Sequence, residues 1–250
     1  MKFCVALLSI AVGLCAAAIV ERQPEIIRVK NGYSGECTTS RYWDCCKPTC
    51  AWKGNTDTDI GPIKACQIDG STVDDGNTQS GCETDGSSYT CSAQQSVIIN
   101  STMAYGFAAA GFISPPENMC CTCFLVTFLE GGWGDCVGKQ MVVQITNTGG
   151  TSNVNSTINN IELAIPGGGV GYYTLGCKTQ WDAPDAGWGE QYGGVETEAA
   201  CDALPEVLQP GCKFRWEFLT GCSNPPATFE QVICPQEIVD ISGCRQDPVD

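Results

Sequence analysis

The stretch Thr39-Ser-Arg-Tyr-Trp-Asp-Cys-Cys-Lys-Pro-Thr-Cys50 is the most informative segment of this chain. It places one carboxylate, Asp44, between an Arg-Tyr-Trp run and three cysteines. Disulfides at those cysteines would fix the segment covalently, and Tyr42 and Trp43 offer flat apolar faces that can stack on sugar rings. We therefore expect a cleft for a sugar polymer, in which the role of Asp44 depends on a partner elsewhere in the chain.

The amino terminus has the pattern of a secretory signal peptide. A basic start is followed by the apolar run Val5–Val12 and by small residues that end near Ala18. The apolar run is shorter than the roughly 20 residues that a transmembrane helix needs, and no later segment is a better candidate. We expect a signal peptide at residues 1–18 and an extracellular protein with one catalytic domain at 19–250. No Pro/Ser/Thr-rich linker marks a separate carbohydrate-binding module.

The cysteine and histidine counts narrow the possible chemistry. Removing the leader leaves 17 of the 19 cysteines, a density that predicts disulfides and an odd thiol. The chain contains no histidine, which excludes Ser-His-Asp and Cys-His catalysis and histidine-ligated metals. Zinc at Cys120-Cys-Thr-Cys123 is the weaker interpretation, because the chain has no histidine and an oxidising destination. Proton transfer then falls mainly to carboxylates, tyrosine or lysine.

The net charge of −15 argues against nucleic acid or an anionic membrane as a partner. It is compatible with a neutral polysaccharide substrate and with a monomer in solution. Asn100-Ser-Thr and Asn155-Ser-Thr are glycosylation sequons.

The pattern of apolar residues predicts a mainly β fold. Five runs resemble strands: Cys123–Leu129, Lys139–Asn147, Ile161–Ile165, Phe214–Leu219 and Thr228–Cys234. The first two should form a hairpin, and Thr197–Leu204 should be a short helix capped by Thr197. Short strands joined by long, cysteine-linked loops, such as Gly54–Gly86, favour a small closed barrel.

Glu162 is the second candidate carboxylate. Strand alternation puts it on the face of Ala164, opposite Ile161, Leu163 and Ile165. The ordinary interpretation is an outward-facing polar residue. The functional one is a carboxyl whose apolar neighbours favour the protonated form, as a general acid requires. The following Pro-Gly-Gly-Gly-Val-Gly run lacks the lysine of a phosphate-binding loop and is expected to be a tight turn at the barrel rim.

A set of motifs in the same order carries a family resemblance. The motifs are Thr39–Trp52, Ser80-Gly-Cys82, Ala104-Tyr-Gly-Phe-Ala-Ala, Cys120-Cys-Thr-Cys123, Met141-Val-Val-Gln, Ile165–Gly171, Gln191-Tyr-Gly-Gly194, Leu208-Gln-Pro-Gly-Cys212 and Gln231-Val-Ile-Cys-Pro235. Across residues 36–245 the chain resembles glycoside hydrolase family 45, the small secreted endoglucanases. The resemblance implies a six-stranded double-psi β-barrel with long disulfide-tied loops, a few short helices and an open groove. It also implies inverting hydrolysis of internal β-1,4-glucosidic bonds without a cofactor.

The resemblance assigns roles to individual residues. Asp44 corresponds to the general base and Glu162 to the general acid. Tyr42 corresponds to a residue of the central subsites, and Trp52 to an aromatic that stacks on a glucose ring. Lys47 could keep Asp44 ionised or bind a sugar hydroxyl, although a solvated surface lysine is an equally good interpretation.

The chain departs from the family pattern at several positions. Ser40 stands where threonine is usual, and Glu162 is one methylene longer than the usual aspartate. Asn160, a candidate for substrate binding, replaces a histidine of some members. The loop Thr151–Asn160 is longer than in familiar fungal members and lacks their accessory aspartate.

Most cysteines match cysteines that are paired in the family. These are Cys45, Cys46, Cys50, Cys66, Cys82, Cys91, Cys120, Cys121, Cys123, Cys177, Cys201, Cys212, Cys234 and Cys244. Cys37, Cys136 and Cys222 are additional, and two of them could form a further bridge.

Two alternatives remain open at this point. The altered acid and loop could favour xyloglucan, whose backbone is the same β-1,4-glucan, over cellulose. The chain could also be a non-catalytic glucan-binding protein, either expansin-like or a family member that has lost activity.

Overall fold

A computed structural model describes residues 24–56, 61–113, 115, 119–131, 134–148 and 158–246. The predicted leader, Asn155 and most of the loop Thr151–Asn160 lie outside these ranges. No helix among the described residues is long and apolar enough to cross a bilayer.

The described chain forms nine strands and a few short helices. The strands are β1 (Ser34–Tyr42), β2 (Ala65–Cys66), β3 (Tyr89–Thr90), β4 (Val97–Ile98), β5 (Met103–Gly111), β6 (Cys123–Phe128), β7 (Gln140–Thr148), β8 (Asn159–Ala164) and β9 (Ala227–Val232). The α-helices are α1 (Leu175–Trp181), α2 (Gln209–Glu217) and α3 (Gln236–Ser242). Short 3₁₀ helices occupy Thr49–Ala51, Glu198–Ala203 and Glu206–Leu208.

Six strands close into a barrel in the order β5-β7-β6-β9-β1-β8, and β8 pairs back onto β5. The pairs β1–β8 and β5–β7 are parallel, and the other four pairs are antiparallel. This confirms the predicted closed six-stranded barrel, and the antiparallel β6–β7 pair confirms the predicted hairpin. Among the described strands, closure leaves no exposed sheet edge around the barrel, apart from the short strand β4 that joins β5.

Alternate strand residues enter two separate cores, as the period of two in a strand requires. In β8, Ile161 and Leu163 lie in one core while Ala164 lies in the other. In β6, Phe124 and Val126 belong to the first core, and Leu125 belongs to the second. The side chain of Glu162 therefore points away from the core that holds Ile161 and Leu163.

The predicted strand at Phe214–Leu219 is wrong, because this segment lies mostly in helix α2. Phe214 and Phe218 are four residues apart, which places them on one helical face as readily as on one strand face. Their rings stack in the same core with centroids 5.3 Å apart. Pro210 at the first turn of the helix also suits a helical start. The short helix predicted at Thr197–Leu204 is present as the 3₁₀ helix Glu198–Ala203, although Thr197 makes no side-chain capping bond.

Eight disulfides form among the described residues, mostly between the segments that surround the barrel strands. They are Cys45–Cys177, Cys46–Cys82, Cys50–Cys120, Cys66–Cys91, Cys121–Cys244, Cys123–Cys234, Cys136–Cys222 and Cys201–Cys212. All fourteen cysteines that match the family are paired, and Cys136–Cys222 is the additional bridge. Cys37 is the odd thiol; it is buried, and burial raises its pKa to about 12.

Candidate active site

Asp44 and Glu162 line one open groove with a volume of about 500 Å³. The end of β1 forms one wall, β8 forms the floor beside it, and the glycine-rich turn after β8 contributes the rim. Ser40, where the family usually has threonine, faces Glu162 in the register of β1 and β8. The two carboxylates that the sequence singled out are therefore brought together by one parallel strand pair.

The backbone around Asp44 is fixed from several directions. The amide of Trp43 donates to the carbonyl of Gly169 at 2.7 Å, which joins the end of β1 to the glycine-rich turn. Cys45 turns the chain with a φ of 63°, and the bridge Cys45–Cys177 holds that turn against α1. The bridge Cys46–Cys82 then ties the next residue to the long loop. These constraints hold the Asp44 carboxyl in one place before any ligand binds.

The environment of Asp44 favours its protonated form. Burial, with a smaller contribution from the charge of Glu162, raises the pKa of the Asp44 carboxyl to about 6. The amide of Cys46, which donates to Oδ1 at 2.9 Å, acts in the opposite direction by stabilising the carboxylate. Asp44 therefore changes its charge in a weakly acidic range in which an ordinary aspartate is already ionised.

Glu162 is held at the centre of β8, between β1 and β5. Its Cα pairs with Ser40 on one side and with Ala109 on the other. The neighbouring Ile161 and Leu163 are buried in the core, so the backbone that carries Glu162 has little freedom to shift. The alternation that the sequence predicted thus directs this carboxyl into the groove.

Tyr42 lies in the groove near both carboxylates. Burial raises the pKa of its phenol well above the usual value, and the charges of Asp44 and Glu162 raise it further, although hydrogen bonding to Asn147 opposes these effects. Tyr42 therefore remains a neutral phenol that can offer a hydrogen bond and a ring face.

The turn Pro166–Gly171 requires glycine where the chain approaches Tyr42 and Gly193. A Cβ on Gly168 would lie 3.0 Å from the Tyr42 amide nitrogen. Gly169 has a φ of 103°, and a Cβ there would lie 2.7 Å from the Gly193 nitrogen. The prediction of a tight turn that supports the rim is confirmed, and its glycines allow two backbone segments to meet beside the carboxylates.

Comparison with known proteins places this site in a family. The model of Glycosyl hydrolase family 45 matches residues 34–245. The chain belongs to glycosyl hydrolase family 45. It is 52% identical to an endoglucanase of Phaedon cochleariae over 91% of each chain, and 43% identical to an endoglucanase of Cryptopygus antarcticus over 89% of this chain and 95% of that one. A crystal structure of the cellulase from the springtail Cryptopygus antarcticus superposes with a TM-score of 0.78 at 42% identity, and covers 87% of this chain and all of the other.

Lys47 does not lie in the groove of this family 45 protein, which corrects the expectation that it serves Asp44 or a sugar. Its ammonium is buried and donates to the carbonyls of Gly76 and Thr78, each at 2.9 Å. The same ammonium lies 3.8 Å from the centre of the Trp52 ring. Lys47 therefore holds the loop around Gly76 and covers one face of Trp52, which also lies outside the groove lining. Stacking of a sugar on the other face of Trp52 stays a prediction.

Asn160 shares a strand face with Glu162 but is turned towards β1. Its Nδ2 donates to Oγ1 of Thr38 at 3.1 Å, and it does not line the groove. Its role in substrate binding stays a prediction.

Asn100 is buried, and its Oδ1 accepts from the amides of Thr102 and Met103 at 3.0 and 2.9 Å. A glycan there would require this side chain to turn outward.

Three tyrosines of the groove were missed by the sequence reasoning. Tyr172, Tyr173 and Tyr192 line it and are 82%, 48% and 73% exposed. The rings of Tyr172 and Tyr173 meet edge to face with centroids 5.2 Å apart. Two hydrogen bonds between Gly171 and Gln191 bring these distant segments together. The adjacent Tyr172 and Tyr173, directly after a glycine-rich turn, were the sequence signal that could have predicted this part of the groove.

Proposed function

We propose that this family 45 protein is a secreted endo-β-1,4-glucanase that hydrolyses internal bonds of cellulose-type glucans. The observation that carries the proposal is that Asp44 and Glu162 share one open groove. An open groove admits a polymer chain along its length, and exposed tyrosines at its rim suit sugar rings. The similarity to the endoglucanases of Phaedon cochleariae and Cryptopygus antarcticus supports the substrate class. The eight disulfides and the signal-like leader support an extracellular site of action.

The mechanism we propose is a single displacement with inversion. Asp44, ionised, removes a proton from a water molecule as that water attacks the anomeric carbon. Glu162, protonated, donates its proton to the departing glycosidic oxygen from the opposite side. Inversion requires carboxyls about 6.5–9.5 Å apart, because the water must fit between base and sugar. The neutral phenol of Tyr42 orients the sugar next to both groups.

The decisive test is product analysis on carboxymethylcellulose, mixed-linkage glucan and xyloglucan. We expect a rapid fall in viscosity with new reducing ends, which indicates internal cleavage. Proton NMR of the first products should show the α-anomer, since inversion converts a β-bond into an α-hemiacetal. Binding to glucan without new reducing ends would contradict the proposal and favour an expansin-like protein.

The raised pKa of Asp44 predicts the acid limb of the pH profile. A base must be ionised, so kcat/KM should fall below about pH 6, the pKa of Asp44, and the fall should approach tenfold per pH unit. The measurement is kcat/KM on a soluble cello-oligosaccharide between pH 4 and 8. An acid limb near pH 4 would contradict the environment inferred for Asp44. A descending limb near pH 6 would instead assign Asp44 the role of the acid.

The extra methylene of Glu162 is a specific reason to consider xyloglucan as the preferred polymer. Glu162→Asp withdraws the carboxyl by one carbon–carbon bond, about 1.5 Å. Because β8 fixes the backbone, we expect kcat to fall about a hundredfold, the cost of such a misplacement. Measuring the variant on both carboxymethylcellulose and xyloglucan tests specificity. A loss confined to xyloglucan would show that the longer acid selects the branched polymer, whereas unchanged kcat on both would show that its reach is not needed.

A further inference from the structure

A second pocket of about 390 Å³ opens beside the catalytic groove. We call it the side pocket; it is lined by Arg41, Arg215, Glu190, Glu196, Tyr192 and Ser223, among others. Arg41, Tyr192 and Gly193 line both cavities, so the side pocket is continuous with the place where a polymer would lie. Its volume lies within the range of small-molecule sites, about 300–1,000 Å³.

The partly buried guanidinium groups of Arg41 and Arg215 donate hydrogen bonds to neutral oxygens. Arg41 donates from Nε to the carbonyl of Gly193 at 3.0 Å and from Nη1 to side-chain oxygens of Ser223 and Asn224. Arg215 donates from Nη1 to the carbonyl of Val195 at 2.7 Å, while its buried Nε has no partner. Within the described residues, no ion pair joins either arginine to a carboxylate.

This arrangement is electrostatically unusual in a chain with a net charge of −15. Buried charges are normally paired, because desolvation of an unpaired charge is costly. Burial and the charge of Arg215 together lower the pKa of Arg41 to about 10, so the two cations oppose one another. Glu190 and Glu196 are exposed at the pocket and form no ion pair with either arginine, although the charge of Glu196 partly offsets the effect of burial on the pKa of Arg215. An anion placed between the two guanidiniums would offset the cost of burying their unpaired charges and would reduce the repulsion between them.

We propose that the side pocket binds an acidic sugar unit, a uronate or a carboxyalkylated glucose, carried by the polymer in the groove. Its carboxylate would accept charge-assisted hydrogen bonds from Arg215 and Arg41, which are stronger than hydrogen bonds between neutral groups. The carboxylates of Glu190 and Glu196 can accept from sugar hydroxyls, and the exposed ring of Tyr192 offers an apolar face. This proposal rests on the proposed glucanase function, because that function supplies the polymer.

Direct binding tests the pocket without any hydrolysis. We expect D-glucuronate to shift NMR resonances of residues around Arg215, while D-glucose at the same concentration does not. Arg215→Gln should weaken glucuronate binding at least about tenfold, the loss of one charge-assisted hydrogen bond. Lys213→Gln is the matched control: it removes one charge from the same helix, but Lys213 pairs with Asp202 at 2.8 Å and does not line the pocket. Equal binding of glucose and glucuronate, or no binding of either, would overturn the proposal.

Hydrolysis then tests whether the acidic group is part of a bound polymer. We compare kcat/KM on carboxymethylcellulose with that on neutral hydroxyethylcellulose. Arg215→Gln should lower the ratio of kcat/KM on carboxymethylcellulose to kcat/KM on hydroxyethylcellulose about tenfold. Arg215→Lys keeps the charge and should lower this ratio less. The lysine variant also serves as the test if the glutamine variant is unstable. An equal loss on both polymers, or no change in the ratio, would overturn the polymer-borne role. If the native protein cleaves neither polymer, the proposed function fails, and glucuronate binding alone decides whether the pocket takes acidic sugars.

Discussion

Asp44→Asn and Glu162→Gln should each lower kcat on a cellulosic polymer by a factor of about 10² to 10⁴, the usual contribution of a general acid or base. Each substitution keeps the size of the side chain and removes its ability to exchange a proton. Asn can still accept the hydrogen bond that the Cys46 amide donates to Oδ1 of Asp44, at 2.9 Å. The loss should therefore come from chemistry rather than from a displaced loop.

An activated substrate separates the two roles. An aryl cello-oligosaccharide with a nitrophenolate leaving group needs little protonation of the departing oxygen. Glu162→Gln should therefore recover most of its activity on that substrate, whereas Asp44→Asn should stay inactive because water still lacks its base. If Asp44→Asn is the variant that recovers, the two roles are exchanged. Full activity of either variant on the polymer would remove that residue from the mechanism.

Glu36→Gln provides the matched control for both variants. Glu36 is an exposed carboxylate on β1, the strand that leads to Asp44, and it does not line the groove. We expect wild-type kcat from this variant. A similar loss of activity in Glu36→Gln would mean that any charge removed from this strand disturbs the site.

Both carboxylates were candidates from sequence because their signals are local, and the family resemblance then suggested their roles. Asp44 lies within a dense motif of aromatics and cysteines, and Glu162 alternates with buried Ile161 and Leu163 on one strand. Strand alternation needs only neighbouring residues, so it gave the correct face of β8. Counting allowed one further bridge among Cys37, Cys136 and Cys222, but only the structure shows that Cys136 pairs with Cys222.

Strand β5 was missed because its alternation uses small residues. Ala104, Ala108 and Ala110 enter one core, while Tyr105 and Phe107 enter the other. Alanine favours helix by intrinsic propensity, and a strand buried on both faces shows little contrast between polar and apolar positions. Its place between β7 and β8 depends on long-range pairing that no local pattern reveals.

The position of Lys47 could not be read from its neighbours in sequence. It is three residues from Asp44, which suggested a shared role, but the chain turns at Cys45 and directs Lys47 to the loop at Gly76. The side pocket likewise joins β1, the turn around Gly193 and helix α2, which meet only in the folded barrel. Local patterns therefore identified the two candidate carboxylates, whereas the surroundings of the groove required the structure.

Asp44→Asn should also stabilise the folded protein at neutral pH, which would show that the site is strained by its own charge. The carboxyl has a pKa of about 6 in the folded protein against an ordinary value of 3.8. Above pH 6 both states are ionised, and only the folded state carries the cost of burying the charge. Below pH 3.8 both states are protonated and that cost disappears. The difference in pKa corresponds to about 3 kcal/mol of lost stability at neutral pH, which asparagine restores.

The measurement is the free energy of unfolding in guanidinium chloride from pH 3.5 to pH 8, with the disulfides intact. The free energy of unfolding of Asp44→Asn should exceed that of the native protein by almost nothing at pH 3.5. The difference should grow between pH 4 and 6 and stay level above pH 6. Glu36→Gln should show no such pH-dependent gain, because its carboxylate is exposed. An asparagine variant that is less stable at pH 7.5 would mean that the ionised carboxyl is stabilised in the fold. The gain we expect instead implies that the fold gives up stability to keep a carboxylate of raised basicity beside the groove.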